Sequence, residues 1–241
     1  MSTEKKHKEV AVYVYGPWIR IWHWMQVFAI LALGITGYLI GAPPPSLGGD
    51  ASDFNMFGAI RYIHFVAAYI FIIGFVIRVW RAIVGNRHAR EIFVPPVWRG
   101  SFWKEVWHEI KWYAMVTKEP KKYIGHNPLA LLTMHVLYVW TSIFLIITGL
   151  ALYGEVGGAG TWQYDWFSSW VIPLMGQSLD VHIWHRFAMW IMIVFIITHI
   201  YVAVREDIMS RQSIISSMIS GWRQFKDDRP AEDEIQESSK K

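Results

Sequence analysis

Residues 181–204 read VHIWHRFAMWIMIVFIITHIYVAV, an apolar run broken by three histidines and one arginine. As a helix rising ~1.5 Å per residue, the run is long enough to cross a ~30 Å hydrocarbon layer. His185 and His199 stand fourteen residues apart. A helix separates them by roughly 21 Å along its axis and by only about 40° around it. Both therefore face one interior, one near each edge of the layer. His182 competes locally with His185, but its spacing to His199 turns it by roughly 100° and carries it outward, so it is the poorer ligand.

The same reading along the 241 residues, 54% of them hydrophobic, finds three further spans at about 19–40, 60–84 and 129–153. The expected fold is an all-α membrane protein, a four-transmembrane-helix bundle with both termini on one side. The connections 41–59 and 154–180 carry no Lys or Arg, whereas Lys5, Lys6 and Lys8, a cluster from Arg81 to Lys122, and Arg205, Arg211, Arg223 and Lys226 crowd the other side. The positive-inside rule then puts both termini in the cytoplasm. Membrane orientation accounts for the formal charge of +4, and nucleic acid is not an expected partner.

Three parts are expected: a cytoplasmic N-terminal segment at 1–17, read as retained rather than cleaved; a four-helix domain at 18–225; and a disordered cytoplasmic tail at 226–241. Between the second and third spans, Phe102, Trp103, Val106, Trp107, Ile110 and Tyr113 recur at helical spacing against Lys104, Glu105, Glu109 and Lys111. That pattern predicts an amphipathic helix on the membrane surface. The aromatic-rich stretch 161–173 reads either as an outer interfacial segment or as a docking surface. Ile35-Thr36-Gly37 and Ile147-Thr148-Gly149 form a short internal echo of a kind that apolar segments also produce by chance.

Depth selects partners for the two histidines of the fourth span. The first span enters from the cytoplasm with His23 just inside that edge, level with His199. The second enters from outside with His64 just inside the opposite edge, level with His185. Two such pairs can clamp two stacked haems, and bis-imidazole ligation fills both axial positions, which suits electron transfer rather than oxygen or substrate binding. A lone intramembrane histidine is otherwise a hydrogen-bonded packing residue or part of a proton relay. His135 in the third span competes for the inner site and is read as a packing or hydrogen-bonding residue. Cysteine is absent, which excludes a thiolate-held iron–sulfur cluster, a disulfide and a thioether-linked haem in this chain.

Arg20, Arg61, Arg78 and Arg186 are candidates to hold haem propionates, against the alternative of snorkelling at the interface. Gly34, Gly37 and Gly74 offer room for a flat macrocycle or for close helix packing; Gly37 lies on nearly the face of His23 at the depth of the outer haem.

The stretches VYVYGPWIRIWHW (12–24), GYLIGAPPP (37–45), IRYIHFVAAY (60–69), RVWRAIVGNRHARE (78–91), GHNPLA (125–130), DVHIWHRFAMW (180–190) and HIYVAVREDIMS (199–210) span most of the chain. Together they resemble the b-type cytochrome subunit of membrane-bound nickel–iron hydrogenases, within a broader group that includes the cytochrome subunit of formate dehydrogenase. The resemblance implies that His23, His64, His185 and His199 bind two haem b groups in the bacterial cytoplasmic membrane. It also implies that the chain, not itself a hydrogenase, takes electrons from the distal iron–sulfur cluster of a hydrogenase small subunit, paired with its large subunit, and delivers them to membrane quinone. On that route electrons enter at the outer haem and leave from the inner one, with Glu206 or Asp207 as candidates for proton uptake or simply as a solvated helix end. Other readings are the cytochrome subunit of a different dehydrogenase or reductase, a small transporter with histidine relays, and a purely structural anchor.

Overall fold

The computed structural model describes residues 10–43, 45, 55–84, 90–117, 121–123, 125–209 and 213–225. Four helices long and apolar enough to cross a membrane dominate it: α1 (Pro17–Gly41), α2 (Met56–Val84), α4 (Pro128–Gly157) and α6 (Ser178–Met209). Between α2 and α4 lies α3 (Gly100–Tyr113). The short helices α5 (Ser169–Met175) and α7 (Ile214–Ser220) follow α4 and α6, and a π-helical stretch at Tyr164–Ser168 leads into α5.

Local chemistry fixes where these helices start. Pro17 opens α1, where its missing N–H is no loss. Pro128 does the same in α4, and Asn127 caps that helix by accepting from the Ala130 amide at 2.7 Å. Every span outruns its expected bounds. Helix α2 begins at Met56, α4 continues to Gly157, and α6 runs on through Arg205, Glu206 and Asp207 to Met209. Hydropathy marks only the stretch matched to hydrocarbon, while backbone hydrogen bonding carries a helix onward into polar sequence. A π-helical stretch at Met134–Trp140 widens α4 around His135.

One element is not helical at all. Strands β1 (Val10–Tyr13) and β2 (Trp222–Phe225) pair antiparallel, with Val10 opposite Phe225 and Tyr13 opposite Trp222. Gly221 turns the chain from α7 into β2 at φ +89°; a Cβ there would lie 2.6 Å from the Tyr13 ring and from the Tyr15 carbonyl oxygen. The ribbon ties part of the expected N-terminal segment to the end of the expected membrane domain. The tail 226–241 lies outside the described residues, as do Lys5, Lys6, Lys8, Arg87, Lys118, Asp50 and Asp53.

The chain divides into two compact units. The first comprises 1–23, 81–135 and 196–241, and so holds the ribbon, α3, α7 and one end of each spanning helix. Phe102, Val106, Trp112, Tyr123, Leu131 and Phe225 are buried within it. The second comprises 24–80 and 136–195. Its core joins Ala151 of α4, Val171 of α5 and Val181 of α6, with Ile147, Phe167 and Met175 packed against them. Trp162, Trp166 and Trp170, four residues apart, stay exposed on the outside of that segment.

Candidate functional site: two histidine pairs

Each unit contains one pair of histidines from different spanning helices. In the first, His23 of α1 meets His199 of α6 with ring centroids 6.4 Å apart and planes tilted by 48°. That separation lies within the range of a tilted ring pair. It also leaves room for a shared metal, since a nitrogen–metal distance of ~2.0 Å on each side, with each ring centre ~1.1 Å behind its nitrogen, gives about 6.2 Å.

In the second unit, His64 of α2 and His185 of α6 are each oriented by a threonine. Thr36 of α1 donates to the Ala32 carbonyl at 2.6 Å and lies 2.8 Å from His64 Nδ1. Thr148 of α4 donates to the Phe144 carbonyl at 2.7 Å and lies 2.7 Å from His185 Nδ1. A carbonyl has no hydrogen of its own, so each hydroxyl proton is committed to the backbone. Each imidazole must therefore donate its Nδ1–H to the threonine oxygen, which leaves Nε2 unprotonated and able to ligate a metal. Glycines one residue further on make room for the rings. A Cβ on Gly37 would lie 3.4 Å from His64 Cε1 and 3.3 Å from the Met189 sulfur; one on Gly149 would lie 3.2 Å from His185 Cε1. The short Ile-Thr-Gly echo is thus a repeated cradle, one copy behind each histidine of this pair.

The model of the prokaryotic cytochrome b561 family matches residues 14–221, which include all four histidines. The chain belongs to that family. It is 54% identical over 94% of both chains to a protein of Azotobacter chroococcum named as a probable nickel–iron hydrogenase B-type cytochrome subunit. A protein of the same name from Rhizobium leguminosarum is 51% identical over 93% of both chains. The probable hydrogenase 1 B-type cytochrome subunit of Escherichia coli is 44% identical over 92% of this chain and 95% of its own.

A cytochrome b561 family protein is a multi-pass membrane protein carrying haem b. The donor sets fit that group. His23 and His199 face each other with room for a metal between them, and the threonines leave Nε2 of His64 and His185 unprotonated, so these four histidines would hold that group. Two other histidines bond to backbone carbonyls. His135 Nδ1 lies 3.1 Å from the Ile92 carbonyl oxygen, and His182 Nδ1 lies 2.9 Å from the Ser178 carbonyl one turn back.

The arginines divide. Arg186 donates to the Gly41 carbonyl at 3.1 Å and so closes the C-terminal end of α1. Arg20 donates to the Ile219 carbonyl in α7, and Arg61 lies over the Phe65 ring at 5.8 Å. Arg78 is only 6% exposed on a spanning helix, a position where a cation requires compensation. Gly74 serves packing, because a Cβ there would lie 2.6 Å from the Gln26 amide nitrogen, and buried Gln26 donates to the Phe71 carbonyl at 3.2 Å.

Helix α3 departs from its sequence pattern. Phe102, Val106, Glu109 and Trp112 are buried, while Trp103, Trp107 and Ile110 form a second, exposed apolar stripe. The two stripes are offset by one residue, and together they mimic one broad apolar face. Glu109, expected on the polar face, lies inward at 3% exposure. Beside it the Trp112 indole donates to Glu206 Oε1 at 2.9 Å, and Arg205 donates to the Trp112 carbonyl at 2.8 Å.

Proposed function

We propose that the chain is the di-haem b-type cytochrome of a nickel–iron hydrogenase complex, anchoring the hydrogenase small and large subunits and conducting electrons to membrane quinone. The observation that carries this reading is the occurrence of two separate histidine pairs, one in each unit, within a chain about half identical to proteins named as hydrogenase cytochrome subunits. Haem b held by two imidazoles supplies one-electron transfer and leaves no coordination position open to substrate.

The protein's part is to hold and insulate. His23 and His199 would hold one group, His64 and His185 the other. Thr36 and Thr148 keep the second pair in one tautomer, and Gly37 and Gly149 leave space beside the rings. Arg78, Arg61, Arg20 and Arg186 are the cations available to propionates. The positive-inside pattern supports termini in the cytoplasm of a bacterial inner membrane, with α3 at that surface presenting Trp103, Trp107 and Ile110 to lipid. The exposed tryptophans 162, 166 and 170 offer a surface on which a partner outside the membrane would dock.

The test uses membranes containing the whole complex. Hydrogen-driven reduction of a quinone analogue is expected to fall at least tenfold in His64→Ala and in His199→Ala, while hydrogen-driven reduction of a soluble dye by the hydrogenase persists. Unchanged quinone reduction in both variants would leave only an anchoring role.

A further inference from the structure

The first unit contains a buried polar cluster that haem ligation does not use. Glu109 faces inward from α3, and its Oε1 is buried with no hydrogen-bond partner among the described residues. Glu206, itself buried on α6, accepts from the Trp112 indole and is reached by the Tyr113 hydroxyl. Arg205 lies 4.0 Å from Glu206 and stacks over the rings of Trp112 and Tyr113 at 5.0 and 4.8 Å. Lys121 and Glu105 are the other charges acting on Glu109.

Glu206 is tied to the histidine pair by helix geometry. It follows His199 by seven residues on α6, two turns, which puts it ~10 Å along the axis and within about 20° of the same face. At ~10 Å and an effective dielectric constant of ~20, one unit of charge changes a neighbour's proton affinity about tenfold.

We propose that Glu109, set beside Glu206, is a redox-linked proton site: when one electron is added between His23 and His199, the Glu109 carboxylate takes up a proton from water, and releases it on oxidation. This rests on those two histidines holding a haem. The balance is simple. A one-electron donor is oxidised, the iron centre gains its electron, one carboxylate becomes a carboxylic acid, and no other bond forms or breaks.

Burial, reinforced by the Glu206 charge and by Glu105, pushes the Glu109 carboxyl up to about 8, against the opposing pull of Lys121 and Arg205. Added negative charge at the iron raises it further. Uptake is therefore expected above about pH 8, where the oxidised protein has lost the proton and the reduced protein regains it.

Redox titration of the purified full-length cytochrome between pH 6 and 10 tests this. In wild type, the potential of the haem that is lost in His199→Ala is expected to fall as pH rises above about 8, and the other haem to follow a shallower course. Glu109→Gln should flatten the first curve. Glu206→Gln, which removes a like charge beside Glu109, should move its inflection to lower pH. Redox-difference infrared spectra should show a carboxylic C=O band that Glu109→Gln abolishes. A curve unchanged in both glutamine variants, with haem retained, would overturn the proposal and assign the proton to propionates. Absence of any His199-dependent haem would overturn it together with the ligand reading, so the two failures are distinguishable.

Discussion

Around His64 and His185 the hydrogen-bond partners are two threonine hydroxyls, each with its proton given to its own helix backbone, and the ring neighbours are glycines. Two turns beyond His199 the same α6 helix enters a cluster of two glutamates, an arginine, a tyrosine and a tryptophan. The first environment orients its imidazoles with neutral hydroxyl dipoles. The second places ionisable groups within electrostatic reach of its pair. Two chemically identical histidine pairs can thus be given different pH responses by what stands behind them.

The strongest way to break this comparison is to remove ligands one at a time. His64→Ala and His185→Ala should each lower haem content from two per chain to one, with the same spectral component missing in both. His23→Ala and His199→Ala should each remove the other component. Haem extraction and reduced-minus-oxidised spectra measure this directly. A variant from one pair that removed the other pair's component would dissolve the distinction between the two environments.

A smaller effect isolates the neutral environment. Thr148→Val keeps the branched shape but takes away the oxygen that accepts from His185 Nδ1–H, and a buried N–H left without a partner costs about 1–3 kcal/mol. Haem affinity at that pair should drop roughly 5- to 150-fold by the same figure, with a shifted potential, while the component that depends on His199 keeps its own. Thr148→Ser should restore most of the loss. If valine and serine behaved alike, the threonine would be packing rather than orienting the ring.

The sequence carried the four spans openly, because long apolar runs between charged blocks admit few other readings. Level-matching of histidines along helices pairs His23 with His199 from spacing alone, since the ~1.5 Å rise turns residue number into depth. What escaped depends on which helix faces which. The Ile-Thr-Gly echo was visible as letters, but three common residues acquire meaning only when Thr36 is seen against His64 and Thr148 against His185. Glu109 was masked because α3 has two apolar stripes one residue apart, and a periodic reading merges them into a single face with the glutamate opposite. The β1–β2 ribbon joins four-residue strands about two hundred positions apart, and no local pattern announces such a pairing.

The smallest effect sharpens the comparison most finely, since it asks whether a single helix distinguishes ring support from plain packing. Gly34 and Gly37 both lie within α1, where replacing an interior glycine by alanine gains about 1 kcal/mol of helix propensity. A Cβ on Gly34 meets nothing within 4 Å, so Gly34→Ala should raise the melting temperature slightly and leave both haems in place. A Cβ on Gly37 arrives 3.3 Å from the Met189 sulfur and 3.4 Å from His64 Cε1, close enough that the neighbours must give by a few tenths of an ångström. Met189 has the rotamer freedom to do so, whereas His64 is held by Thr36. The propensity gain should therefore be offset in Gly37→Ala, and the disturbance should appear only in the spectral component assigned to His64 and His185. Equal, silent behaviour of the two alanine variants would show that Gly37 supports helix packing and not the imidazole.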